Sequence, residues 1–297
     1  MLHTHLESSA AVWRDEAGTP IATAWREVVR IRHDEAARED DEVIAEVPVA
    51  LVYNRISHAV MMASPADLED FAIGFSLGEG IVEHAHEIHT LDIQTHGQGV
   101  VLNMVIAARR FAAIKERRRH LAGRSGCGLC GIDSLDTLSA HATGVRVDAA
   151  RRLSVAAIDE ALRQLPHLQP LRNRTGASHA AAWVDGQGRI LSLREDVGRH
   201  NALDKLLGAL ARTGQPLEEG FALITSRASY EMVQKAARFG ISSLVAVSAP
   251  TSYAIEQAEA AGILLVGFAR TGQRVAYSNA ERLDLTPQAA THPSAIM

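Results

Sequence analysis

The chain has only two cysteines, Cys127 and Cys130, set as C-x-x-C in the glycine-rich stretch GRSGCGLCGIDSL, residues 123–135. Four chemistries use such a pair. Structural zinc takes four ligands, usually from two C-x-x-C pairs or from one pair with paired histidines. The nearest candidates, His84, His86 and His89, lie far upstream, and HEIH misses the H-E-x-x-H spacing by one residue. A zinc deaminase joins H-x-E to P-C-x-x-C. Here H-x-E occurs at 5–7 and 33–35, and Gly126 stands where the proline belongs. A thioredoxin-like exchange site opens a helix after the first strand of a βαβ unit, whereas this pair sits mid-chain. The fourth chemistry is a persulfide carrier, in which a thiolate takes a sulfane sulfur and moves it to an acceptor. Glycines 123, 126, 128 and 131 give such a segment conformational freedom. The preceding basic string ARRFAAIKERRRHLAGR, with Arg109, Arg110, Lys115, Arg117, Arg118 and Arg119, favours the thiolate. Cys127 is then the carrier and Cys130 an assisting thiol.

A second group of residues suits anions. From Leu153 onward strands and helices alternate: SVAAIDEALRQL as helix, HAAAWVDGQGRILSLRE as a hairpin turning at 185–188, GRHNALDKLLGALAR as helix. FALITS, YEMVQKAARFG, SLVAVS and YAIEQAEAAG follow as two strand–helix units, Gly240 and Gly262 ending their helices, and ILLVGFAR closes the series as a last strand. The pattern predicts an α/β domain with a parallel sheet, whose ligands sit beyond the carboxyl ends of the strands. Three loops lie there: Thr225, Ser226, Arg227 and on to Ser229; Ser248 to Thr251 and Ser252; and Gly267 to Gln273, which includes Arg270. Ser229 and Ser252 occupy expected N-cap positions, and the hydroxyls and arginines suit phosphate or pyrophosphate. RNRTGASHAAA and REDVGRHNALDK add a further ionisable cluster, with Glu195, Asp196, Arg199 and His200 at a strand-to-helix junction.

The amino-terminal part reads as α+β. EDDE, 39–42, is expected to be a solvated turn before the strand VIAEVPVALVYN. SPADLEDFAIGFSLGEGIV reads as a helix with Ser64 as N-cap, Pro65 at its first position and a face of Leu68, Phe71, Ala72 and Phe75. Its glycines, Gly74, Gly78 and Gly80, miss G-x-G-x-x-G and suit close packing. EIHTLDIQT and GVVLNMVIA form a hairpin, and the basic helix leads into the cysteines. The expected division is a loosely ordered tail at 1–24, an α+β domain at 25–150 carrying the C-x-x-C, an α/β domain at 151–283 and a second loose tail at 284–297.

With 297 residues, 47% of them hydrophobic, the chain can bury a full core. A net charge of −5 argues against a nucleic-acid or anionic-lipid coat. The longest small or apolar run, AAGILLVGFA, is about half the roughly twenty residues a spanning helix needs, and the first residues lack an apolar h-region. The expected location is therefore the cytoplasm, where thiols stay reduced.

Taken together, DLEDFAIGFSLGEGIV, SGCGLCG, RTGASHAAA, REDVGRHNALDKLLG, SRASYEMVQKAA, VSAPTSYAIEQAEAAGI and VGFARTGQRVAY resemble the FdhD family of formate dehydrogenase accessory sulfurtransferases. The resemblance runs from about 46 to 282. It implies a sulfur carrier that accepts persulfide sulfur from a cysteine desulfurase and passes it to the molybdenum of bis-molybdopterin guanine dinucleotide for the formate dehydrogenase catalytic subunit. It also implies a cytidine-deaminase-like carboxy-terminal domain and a homodimer. By position, Cys127 matches the persulfide residue, and Phe268, Ala269, Arg270, Thr271, Gly272 and Gln273 match part of the guanine dinucleotide site. Thr225, Ser226, Arg227, Ser248, Thr251 and His200 are further candidates for that site, and no structural metal is expected. The alternative from another class is a nucleotide-binding chaperone that delivers the cofactor and uses its cysteines for redox sensing.

Overall fold

The computed structural model describes residues 21–97, 99–121, 147 and 152–286, with the side chains of 115–121 excepted. They form two compact units that interleave along the sequence. The first draws on Met1–His141, Gln169–Ala181 and Leu193–Gln215, the second on Ala142–Leu168, Ala182–Ser192 and Pro216–Met297. The expected domains at 25–150 and 151–283 would need a single cut, whereas 169–181 and 193–215 group with the amino-terminal part.

The first unit opens with a hairpin of β1 (Thr23–Arg32) and β2 (Glu35–Ile44). The EDDE string is therefore part of a strand and not a solvated turn. Its charges hold the hairpin: Glu39 and Asp41 pair with Arg30, and Glu27 pairs with Arg38 across the ladder. A four-stranded sheet follows, ordered β4-β3-β6-β5 from β3 (Val47–Tyr53), β4 (Ile56–Ala63), β5 (Ile88–His96) and β6 (Gly99–Ile106). Asn54 and Arg55, both at positive φ, make the two-residue turn between β3 and β4. The expected β5–β6 hairpin is present. Alternate residues of β3 and β6, Val49, Leu51, Tyr53, Val100, Leu102 and Met104, face the core. Phe71 and Phe75 of α1 (Leu68–Gly78) belong to that core as well.

Helix α1 begins at Leu68, with Asp67 rather than Ser64 at its cap. Ser64 is buried and serves long-range partners: its N–H donates to Asp196 at 3.0 Å and its hydroxyl accepts from the Val197 N–H at 3.1 Å. The basic string forms α2 (Ala108–Leu121). The rest of the unit includes α4 (Pro170–Thr175) and α5 (Arg199–Thr213), while α3 (Val155–Gln164) belongs to the second unit. Helix α5 is buried on all sides from Asn201 to Leu210, which marks a central helix. It meets α1 glycine to backbone: a Cβ on Gly74 would lie 1.6 Å from the Asp204 carbonyl oxygen, and one on Gly208 would lie 1.9 Å from that of Asp70.

The second unit holds the alternating region. A six-stranded sheet runs β13-β12-β11-β10-β8-β9. Its members are β8 (His179–Asp185), β9 (Ile190–Asp196), β10 (Gly220–Ile224), β11 (Ser243–Ala246), β12 (Leu264–Arg270) and β13 (Gln273–Ser278); the unit boundaries cut β8 and β9. β10, β11 and β12 are parallel, joined through α6 (Tyr230–Phe239) and α7 (Ser252–Ala261). Gly240 and Gly262 close those helices at φ 88° and 74°, as left-handed caps. The series does not end at β12, because β13 returns antiparallel beside it. Two short strands, β7 (Leu153–Ser154) and β14 (Leu283–Asp284), pair in parallel.

Candidate functional site

The carboxyl ends of β10, β11 and β12 carry the three loops singled out in the sequence, and backbone hydrogen bonds join them. Ala228 N–H donates to Ala249 O, and Thr251 N–H donates back to Ala228 O at 3.0 Å. Phe268 N–H donates to Ser248 O at 3.1 Å. The loops thus form one crest at the amino ends of α6 and α7, where the partial positive charge of the helix dipole favours anions. Arg227, Thr251, Phe268, Arg270, Thr271, Gly272 and Gln273 are exposed there, whereas Ser226 and Ala269 are buried. Thr225 and Ser248 are half-buried.

Local chemistry differs from expectation at one cap. Ser229 holds the N-cap of α6, but the cap of α7 is Thr251, whose hydroxyl accepts from Ala254 N–H at 3.3 Å; Ser252 is the first helical residue. A hydroxyl one residue earlier closes the same first turn, which is why the serine is not needed. Phe268 takes φ 49°, a left-handed conformation uncommon for an aromatic residue, and the residue is 41% exposed. Strain of that kind concentrates at binding sites.

Two features of the crest had no signal in the sequence. Asp159 of α3 accepts from both Arg274 Nη2, at 2.7 and 3.0 Å, and the Gly272 N–H at 3.1 Å, so it clamps the turn that follows Arg270. Tyr230 and Tyr253, at the starts of α6 and α7, pack ring to ring with centroids 5.0 Å apart. Asp159 lies 115 residues from Arg274, beyond the reach of any local pattern.

The first unit holds the second cluster. Glu195 and Asp196 are buried and bonded inward. Glu195 accepts the N–H groups of Leu171 and Arg172 at 2.8 and 2.9 Å, capping the first turn of α4. The Ser178 hydroxyl also donates to it, at 2.5 Å. Asp196 pairs with Lys205. Both acids are therefore structural, while Arg199 and His200 at the start of α5 are half-buried. His179 titrates below its ordinary value, chiefly through burial and then through the positive charges of Arg199 and Arg172.

Cys127 and Cys130 lie outside the described residues. Of the upstream histidines, His84 and His86 stack with ring centroids 5.3 Å apart beside Glu87, whose carboxylate is bound by Arg109 and Arg110. Among the described residues no helix is long and apolar enough to cross a membrane.

Comparison with known proteins gives one consistent result. The chain is 53% identical over 256 residues to the sulfur carrier protein FdhD of Cupriavidus necator, covering 86% of this chain and 88% of that one. It is 50% identical over 264 residues to the protein of the same name from Xanthomonas euvesicatoria, covering 88% and 92%. Its fold is similar to the crystal structure of a protein assigned as a formate dehydrogenase accessory protein from Desulfotalea psychrophila, with a TM-score of 0.67, 26% identity and coverage of 88% and 99%. Residues 44–284 match the FdhD/NarQ family, and with relatives this similar over most of its length, the chain belongs to that family.

Proposed function

We propose that this protein is a sulfur carrier for the maturation of formate dehydrogenase, with Cys127 as the carrying residue. The observation that carries the reading is the C-x-x-C in a chain at least 50% identical to proteins named sulfur carrier FdhD. The Cys127 thiolate attacks the outer sulfur of a persulfide on a cysteine desulfurase. A new sulfur–sulfur bond forms at Cys127, the donor's bond breaks, and the donor cysteine leaves as a thiolate, with no net change in electrons. The substrate is the molybdenum of bis-molybdopterin guanine dinucleotide, which takes sulfur at the sulfide level. Attack of the Cys130 thiolate on the Cys127 sulfur supplies it: the pair closes to a disulfide and HS⁻ departs, and a dithiol reductant then restores both thiols. The crest in the second unit, with Arg227, Arg270 and the first turns of α6 and α7, holds the guanine dinucleotide phosphates.

A cytidine-deaminase-like scaffold without P-C-x-x-C, and with H-x-E only far upstream at 5–7 and 33–35, fits this use, since it would keep a nucleotide-sized crevice without the zinc chemistry. The carrier works as a cytoplasmic homodimer with a cysteine desulfurase and the formate dehydrogenase catalytic subunit. Intact-mass analysis after incubation with desulfurase and cysteine should show a 32-dalton adduct, the mass of one sulfur atom, that is absent in Cys127→Ala. An unchanged adduct in that variant would remove Cys127 from the role. A Cys127→Ala strain that still activates formate dehydrogenase would instead favour a cofactor-delivery chaperone. GDP titration should show binding that Arg270→Ala weakens.

A further inference from the structure

The junction of β9 with α5 gathers cations whose neighbouring acids face elsewhere. Glu195 binds the backbone of Leu171 and Arg172 and the hydroxyl of Ser178. Asp196 binds Lys205, the Ser64 and Gly198 N–H groups and the Asn201 amide. These contacts draw 171–172, 178 and 198–201 around two consecutive residues, and so bring Arg172, His179 and Arg199 to one place. None of these three makes an ion pair among the described residues, and Arg199 Nε is buried without a hydrogen-bond partner there. Among the described residues the only side-chain hydrogen bond of Arg172 is a long one, 3.5 Å, to the Ser178 carbonyl.

We infer that this junction is an anion site of the first unit, taking a phosphate-class group on the guanidinium groups of Arg172 and Arg199 and the imidazole of His179. Two planar guanidinium forks and a ring nitrogen match the several acceptor oxygens of a tetrahedral anion better than the two of a carboxylate. The site also lies at the amino end of a fifteen-residue helix, whose dipole adds to the attraction. The charges acting on His179 support the geometry: Arg199, Arg172 and His200 all disfavour its protonated form, and Asp196 alone opposes them. A bound dianion would reverse that balance. The identity of the natural ligand rests on the proposed function, because each half of a bis-dinucleotide cofactor carries a pyrophosphate.

The test follows the His179 ring resonances by NMR in the full-length protein as inorganic pyrophosphate is added. Saturable shifts are expected, with the His179 pKa rising on binding. Arg199→Gln and, separately, Arg172→Gln should weaken the affinity read at His179 about tenfold or more. Arg270→Ala, on the crest, should leave it unchanged. Silence at His179 in the wild-type protein, or a response that survives both glutamine variants or disappears with Arg270→Ala, would overturn the site. Repeating the titration on Cys127→Ala separates this inference from the sulfur-carrier reading, since anion binding needs no thiol.

Discussion

Lys205 and Asp196 meet at 2.7 Å with both side chains wholly excluded from solvent. The ammonium also donates to the Ser64 and Glu195 carbonyls, and the carboxylate accepts from Ser64, Gly198 and Asn201, so each charge is met by several partners. Lys205→Met would leave Asp196 buried and unpaired. The expected loss is about 3–5 kcal/mol in urea unfolding. Adding Asp196→Asn to Lys205→Met should restore part of it, because the stranded charge is then gone. A Lys205→Met protein within about 1 kcal/mol of wild type would show that the pair is not holding α5 in place.

The crossing of α1 on α5 depends on Gly74 and Gly208. Any side chain at either position drives a Cβ into the facing helix backbone. Backbone cannot rotate away as a side chain can, so the helices must part. Gly74→Ala and Gly208→Ala should each cost about 1–3 kcal/mol or more. Once one substitution has separated the helices, the second meets less resistance, and the double variant should cost less than the sum. Strict additivity in denaturant titrations would argue against a shared crossing.

How far the sequence reveals this structure depends on how local the deciding interaction is. The alternation after Leu153 is legible because apolar strands, amphipathic helices and terminal glycines all act within a few residues. The β1–β2 hairpin is not, since its ladder is held by charge pairs such as Arg30 with Asp41 and turns at His33, which takes φ 55°. Its strands lack the apolar alternation that marks a half-buried strand. Ser64 misleads for the opposite reason. S-P with acids three to six residues on is a sound helix-start pattern, yet the buried Asp196, 132 residues away, claims its N–H. At the site, helix-start chemistry exposes the crest loops, whereas Asp159 and the inward-facing Glu195 act only through tertiary contact.

Asp159 provides a direct handle on the crest. It fixes Gly272 N–H and Arg274 together, while Arg270, Thr271 and Gln273 remain exposed around that clamp. Asp159→Asn keeps the size of the side chain but loses the charge-assisted grip on Arg274. GDP affinity should fall about threefold to tenfold, equivalent to ~0.7–1.4 kcal/mol. Unfolding free energy should change by no more than about 1 kcal/mol, as for a partly exposed pair. Unchanged GDP binding would mean that the turn keeps its shape without the clamp.

Glu87 sets an acid-sensitive contact in the first unit. Its side chain is 4% exposed and accepts from Arg109 at 2.6 Å, from Arg110 at 3.0 Å, and from the N–H groups of Glu83 and His84. The Arg109 hydrogen bond leads in holding its carboxyl far below the ordinary 4.5, Arg110 and the two N–H groups add to it, and burial opposes. The folded state therefore binds this proton more weakly than the unfolded chain. Its stabilising effect is complete above pH 4.5 and is lost as pH falls toward the folded value. Glu87→Gln should be less stable than wild type at pH 7, and the gap between the two unfolding curves should narrow as pH drops below about 4.5. Other paired acids titrate in the same range, so the difference between the curves, rather than either curve alone, isolates Glu87. A gap that stays constant from pH 7 to pH 2 would mean that glutamine loses packing or hydrogen bonds alone, and that the arginines do not act through the charge of Glu87.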